Sequence, residues 1–144
     1  MRSIWDDMAA MRSLYSAQLD VVGRECGLAR VELDILLFLA NNPQFDTATE
    51  IVQWRNISKA HVSQGVKALE QRGYLERWYA RDNRRTIHLR LREKAGAAVE
   101  AGRAAQHRYR SLLFQGFSEE ELEQFCGFFG RIAANARAQL KEGK

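Results

Sequence analysis

Between Ile57 and Arg92 the chain gathers side chains suited to an ordered polyanion. Ser58, Lys59, Ala60, His61, Ser63, Gln64 and Lys67 fall within one short stretch, and Arg81, Asp82, Arg84 and Arg85 follow closely behind it. Hydroxyl, imidazole and carboxamide groups can donate and accept at base edges, and a glutamine can make a bidentate contact to adenine. Lysine and arginine answer phosphate oxygens, and an arginine in a loop also responds to minor-groove width while carrying little base identity by itself.

Those groups need an element to present them. At about 100° per residue, Val62, Val66 and Leu69 lie within about 60° of one another and predict a buried stripe. Gly65 sits beside that stripe, where a missing side chain lets another element come close. Ala60, Ser63, Gln64, Lys67 and Gln71 point the other way, flanked by His61 and Lys59. A solvated face would more often carry Glu/Lys pairs four residues apart; this one is free of acids over its first turns, as a groove-inserted helix requires. Ser58 is the expected N-cap and Gly73 the expected stop. Tyr74–Tyr79 and Thr86–Leu91 then read as two strands, the second with Ile87, Leu89 and Leu91 on one face and Thr86, His88 and Arg90 on the other. The segment Arg81–Arg85 is expected to be the loop between them, its Asp-Asn pair favouring a turn. A helix followed by a basic hairpin is the layout of a helix-turn-helix with a wing, and a major groove about 12 Å wide admits one helix. The plainer alternative for this segment is a solvated amphipathic helix.

Charge is concentrated on the same stretch. Residues 54–92 carry a formal charge of +7, residues 1–53 carry −4 and residues 93–144 carry +1. The chain as a whole is only +4, so the location of the charge carries the information, as an electrostatic footprint does.

Catalytic arrangements are not apparent. His61, His88 and His107 have no metal-ligand spacing, the glycines form no phosphate-binding loop, and Cys26 and Cys126 lie far apart. No catalytic residue, metal site or cofactor is expected. The cysteines read as reduced, small packing residues. No run approaches the ~20 apolar residues of a membrane helix, and the charged N-terminal stretch does not read as a signal peptide. A soluble cytoplasmic protein of one domain is the expectation.

The remaining segments read as helices. Trp5, Met8, Met11, Tyr15, Leu19 and Val22 recur at three- and four-residue spacing, and Val31–Ala40 is apolar nearly all round and suits a central position. Thr47–Arg55 is expected as the first helix of the helix-turn-helix, with Asn56 tolerating a left-handed turn. A helix rich in alanine and glycine runs from Glu93 to about Gln115. Ser118 opens a last helix with a capping box to Glu121, along which Leu122, Phe125, Phe129, Ile132, Ala136 and Leu140 form a stripe.

This order of elements resembles the MarR family of winged-helix regulators. The resemblance rests on Ser58-Lys59-Ala60-His61-Val62-Ser63-Gln64, on Leu69-Glu70-Gln71-Arg72-Gly73-Tyr74-Leu75-Glu76-Arg77, and on Asp82-Asn83-Arg84-Arg85. It covers almost the whole chain. It implies that Arg84 is the wing arginine entering the minor groove, with Asp82 as its acidic partner. His61 and Gln64 stand where the family more often has threonine and arginine, which implies a different operator. Val52 and Arg55 replace the usual small and apolar residues, and Arg92 stands where a threonine usually caps the next helix.

The reading is a mainly α chain with a small β-hairpin wing. One MarR-like domain spans 1–144, with 30–92 as the winged helix-turn-helix portion and 1–25 and 93–144 as dimerisation helices. The resemblance implies that the terminal helices interlock with those of a second copy, the alternative being packing within a monomer. A homodimer would set two recognition helices ~34 Å apart on a pseudo-palindrome of double-stranded DNA. The resemblance further implies a repressor released by a small aromatic or amphipathic ligand, bound where the first and the buried helix meet. Trp5, Met8, Tyr15 and Phe38 are the candidates there, although core and pocket share the same composition. No membrane partner is expected. The competing class is a winged-helix module that binds protein without reading DNA sequence.

Overall fold

The computed structural model describes residues 3–142, and the ends of the segments 1–25 and 93–144, at residues 1–2 and 143–144, lie outside the described residues. The order is α1 (Ile4–Cys26), α2 (Arg30–Asn41), α3 (Ala48–Arg55), α4 (Lys59–Gln71), β1 (Leu75–Ala80), β2 (Asn83–Leu91), a 3-10 turn (Glu93–Ala95), α5 (Gly96–Leu113) and α6 (Glu119–Glu142). These elements form the mainly helical, winged architecture read from the residues. The chain divides into two compact units, one ending at Tyr109 and the other beginning at Arg110.

The first unit is built on α2. Its Leu33, Ile35, Leu36, Leu37, Phe38 and Leu39 are all buried, and each such side chain contributes about 1.5–3 kcal/mol when removed from water. Leu19 and Val22 of α1, Ile51 of α3, and Val62, Val66 and Leu69 of α4 complete the same core. Glycine sets two of the close approaches. A Cβ at Gly65 would stand 2.7 Å from Ile35 Cδ1, and one at Gly102 would stand 2.7 Å from Leu37 Cδ2. At these points a side chain of α2 lies directly against the backbone of another helix, α4 at Gly65 and α5 at Gly102.

Local signals fix the element ends. Thr47 and Glu50 close a capping box over α3, their backbone amides each bonding the other's side chain at 3.2 Å. Asn56 adopts the left-handed conformation (φ 52°) in the turn before α4. Ser58 Oγ accepts from His61 N at 3.1 Å. Past α4, Gly73 takes φ +81°, while Gly73 N and Tyr74 N donate back to Glu70 O and Leu69 O. Arg92 precedes the 3-10 turn without any side-chain cap bond, so a turn rather than a directly capped α-helix opens the α5 segment.

The wing departs from the expected hairpin. Its strands are Leu75–Ala80 and Asn83–Leu91, joined by a turn of Arg81 and Asp82 alone. Arg84 and Arg85, expected in the loop, belong to β2. Pairing is antiparallel and regular from Leu75↔Leu91 to Trp78↔His88, then shifts before Ala80↔Asn83. Strand β2 takes more residues than β1 to cover that interval, so it bulges over the part that carries the arginines.

In the second unit, Ser118 and Glu121 make the predicted capping box at 2.9 and 3.1 Å. Phe125, Phe128, Phe129, Ile132 and Leu140 of α6 stand exposed on the single chain, as do Trp5, Met8 and Met11 in the first half of α1. Among the described residues no helix is long and apolar enough to cross a membrane.

Candidate nucleic-acid interface

Helix α4 separates its two faces by burial. Val62, Gly65, Val66 and Leu69 are buried, while Ser58, Lys59, Ala60, His61, Ser63, Gln64 and Lys67 are all exposed. The exposed set keeps its hydrogen-bonding groups in solvent, except that the Ser58 hydroxyl is committed to the N-terminus of α4. No acid stands in the first turn of α4, so its positive dipole end is unopposed by side-chain charge.

Wing residues Arg81, Asp82, Arg84 and Arg85 are likewise exposed. No ion pair joins Asp82 to Arg84 among the described residues, where the resemblance implied a partnership. Asn83 organises this segment instead. Its Oδ1 accepts from Arg85 N at 3.0 Å and from Thr86 N at 3.3 Å, and its Nδ2 donates to Thr86 Oγ1 at 2.8 Å. The bulged backbone therefore finds in one side chain partners that a regular ladder would have supplied. Asparagine's known tendency to bond its own downstream backbone was the available signal.

The wing is anchored at its other end. His88 Nδ1 lies 2.8 Å from Asp46 Oδ1; a carboxylate only accepts, so that ring nitrogen carries the hydrogen. Leu89 N donates to Asp46 O at 2.7 Å, and Trp78 stacks on the His88 ring with centroids 4.3 Å apart. Between the wing, α3 and α4 lies a cavity of about 500 Å³, with Val52, Val62, Val66 and Ile87 among its lining residues and Lys59, Arg77 and Arg85 contributing charge.

Internal pairing sorts the basic residues of the +7 segment. Arg77 pairs with Glu70 at 3.2 Å, Arg90 with Glu76 at 3.2 Å and Arg72 with Glu32 at 3.5 Å. Arg55 lies 5.2 Å over the Phe38 ring, which accommodates this unusual residue at the end of α3. Lys59, Lys67, Arg81, Arg84 and Arg85, like Arg92 just past β2, make no ion pair among the described residues, so most of the unneutralised charge sits on the exposed face of α4 and the wing tip.

The four effector candidates are not gathered in one place. Trp5 is 72% exposed and Met8 also faces solvent, whereas Phe38 is 1% exposed within the core. Tyr15 is half-buried, its hydroxyl accepting from Gln106 Nε2 at 2.9 Å and its ring 5.0 Å from that of Tyr109. None of the cavities between α3, α4 and the wing, beside the α1–α2 junction, or under the wing takes in any of them. Among the described residues no cluster of three or more His, Cys, Asp or Glu is placed to hold a metal, and both thiols are free.

Residues 27–85 match the model of the MarR family. The whole fold is similar to that of a MarR family transcriptional regulator from Listeria monocytogenes crystallised with a 26mer DNA, with a TM-score of 0.82 and 20% identity over 94% of this chain and 89% of that one. It is also similar to the transcriptional regulator SlyA (TM-score 0.82, 18% identity, 99% of this chain and 100% of that one). The crystal structure of MarR gives a TM-score of 0.79 at 18% identity, covering 98% of this chain and 95% of that one. These matched structures are of transcriptional regulators. Comparison with curated protein sequences gives no match.

Proposed function

Given its MarR-family winged helix-turn-helix, we propose that this chain is a cytoplasmic, sequence-specific DNA-binding transcriptional regulator, acting as a homodimeric repressor released by a small molecule. The observation that carries the reading is the unneutralised charge of Lys59, Lys67, Arg81, Arg84 and Arg85, displayed beside the exposed His61, Ser63 and Gln64 of α4. A protein-binding module would have little use for a charged, acid-free helical face next to a basic hairpin.

Dimerisation follows from the apolar faces left uncovered on one chain. Phe128 is 60% exposed and Ile132 59%, and burying such surfaces against a second copy is worth roughly 25 cal/mol per Å². A second copy also makes the two half-sites of a pseudo-palindrome readable at once. Effector release belongs to the same reading. Trp5, Met8 and Tyr15 line α1, and a partner chain would wall in the first two. A ligand preferring the non-binding arrangement by ~100-fold would shift the balance by ~2.7 kcal/mol.

The deciding experiment is binding of the full chain to duplex DNA from upstream of its own gene, measured across salt concentration. A steep loss of affinity with salt, as counterion release demands, supports the regulator, and a weak, salt-independent interaction favours the protein-binding module. Sedimentation of Phe129→Glu beside the parent tests the dimer. Aromatic acids and phenols that raise the melting temperature and also release operator DNA would identify the effector class; stabilisation without release would remove the switch.

A further inference from the structure

Arg72 sits just past the last residue of α4 and makes contacts unlike those of the other basic residues around it. Its Nη2 donates to Gly27 O at 2.9 Å. Its Nη1 lies 3.5 Å from Glu32 Oε2, and Glu32 Oε1 in turn accepts from Ala29 N at 2.8 Å. The guanidinium lies 5.2 Å over the Tyr74 ring. Lys94 completes the arrangement, with Nζ donating to Arg72 O at 2.6 Å and standing 4.7 Å from the Tyr74 centroid. Gly27, which ends α1 with φ +67°, presents its carbonyl to the fork.

We propose that Arg72 is a positioning residue for DNA recognition: it clasps the C-terminal end of α4 to the α1–α2 junction and so sets where the recognition helix stands relative to the dimerisation helix. The inference rests on the dimeric reading above. A planar guanidinium can bridge a carbonyl and a carboxylate at once while stacking on an aromatic ring, and an ammonium cannot do all three. The partners of its guanidinium lie at Gly27, Glu32 and Tyr74, none on the exposed face of α4 or the wing tip. Arg72 therefore counts toward the basic segment of the sequence without belonging to its DNA-facing charge.

The consequence concerns spacing. Two recognition helices tied firmly to α1 through the clasp discriminate half-sites by their separation, since one inserted base pair moves a half-site by ~3.4 Å. Without the clasp each α4 can tilt and follow the displaced half-site. Loss of stability alone would lower the active fraction on every operator equally and leave the ratio between spacings unchanged.

The test uses the full chain, its operator, and operators with one base pair inserted or removed between half-sites. The parent should prefer the native spacing by roughly tenfold or more, and Arg72→Gln should compress that ratio to within about threefold, in the range typical of coupled equilibria. The salt slope should not change, because no phosphate contact is lost. Arg72→Lys should resemble Arg72→Gln rather than the parent. If Arg72→Gln does not fold, the ratio is read on Arg72→Lys and on Glu32→Gln, which keeps an oxygen for Ala29 N but removes the carboxylate that the guanidinium bridges. A spacing ratio equal to the parent's in these variants overturns the clasp, as does a slope reduced by ~1, which would make Arg72 a phosphate contact. A parent that binds all spacings alike would instead remove the two-half-site reading, and the clasp's role with it.

Discussion

Asp46 Oδ1 meets His88 Nδ1 at 2.8 Å, joining the second wing strand to the chain that enters α3. The backbone repeats the link through Leu89 N and Asp46 O at 2.7 Å, so the side-chain bond tightens an attachment that the main chain already makes. Asp46→Ala should therefore leave the fold intact while lowering stability by ~1–3 kcal/mol, the cost of leaving a half-buried imidazole donor without its acceptor. Chemical denaturation measures it; an unchanged midpoint would assign the anchoring to the backbone alone.

Gln64 is exposed on the acid-free face of α4. Gln64→Ala should cost ~1–3 kcal/mol on the operator and relax preference at one half-site position. Binding to a panel of single-base operator variants gives the result. Equal weakening across the panel would reassign Gln64 to the phosphate backbone.

Arg84 is carried on the bulged part of β2 with no acidic neighbour paired to it. Arg84→Ala should weaken operator and competitor DNA together and flatten the salt slope by ~1 for the phosphate lost. Asp82→Ala should reproduce that loss only if Asp82 positions the arginine on DNA. Unchanged affinity of Arg84→Ala at low salt would exclude Arg84 from the interface.

The two close-approach glycines should respond differently to alanine. At Gly65 the nearest atom is the terminal Cδ1 of Ile35, at 2.7 Å, which can swing aside. Alanine also gains about 1 kcal/mol of helix propensity there, so Gly65→Ala should be close to neutral. At Gly102 three atoms of Leu37, including the branching Cγ at 3.1 Å, crowd the same space, and Gly102→Ala should destabilise by ~1–3 kcal/mol. Urea denaturation of both variants settles the order; a reversed ranking would mean that Leu37 yields more easily than Ile35.

Burial pushes the Asp34 carboxyl above its ordinary range, while the charge of Arg30 and its hydrogen bond pull it back. A carboxyl raised on folding favours the protonated form, so its contribution is fullest below the unfolded value and is lost as pH rises through the folded one. At neutral pH the ionised Asp34 is thus a net cost. Asp34→Asn should raise the melting temperature at pH 7, and the gain should close as pH falls toward the ordinary carboxylate range. A lower melting temperature at pH 7 would show that the Arg30 pair, at 3.0 Å, outweighs burial.

Much of the helix-turn-helix is legible in the residues because its signals are local. The Val62, Val66 and Leu69 stripe, the Ser58 cap, the left-handed Asn56 and the close approach at Gly65 each follow from spacing or from one residue's backbone preference. The wing was less legible, because a register shift depends on how two strands meet, and Arg84 and Arg85 read alike in a loop or on a bulge. The apolar spacing of Trp5 through Val22 correctly marks one face of α1, yet only its Leu19 end is covered within the chain. Periodicity tells which face is apolar and not what lies against it. Arg72 left no trace at all: its partner Gly27 is 45 residues away, and no local pattern records such a contact.

The bulge in β2 has a thermodynamic meaning for binding. A five-residue arginine loop would be free to sample many shapes, and ordering it on a ligand would cost roughly 1–2 kcal/mol of backbone entropy per residue fixed. Here Asn83 already bonds the amides of Arg85 and Thr86, so folding has met that cost before any encounter. The arginine side chains keep their own rotamer freedom, but their backbone arrives preorganised, and the wing can tighten association through what it does not have to lose.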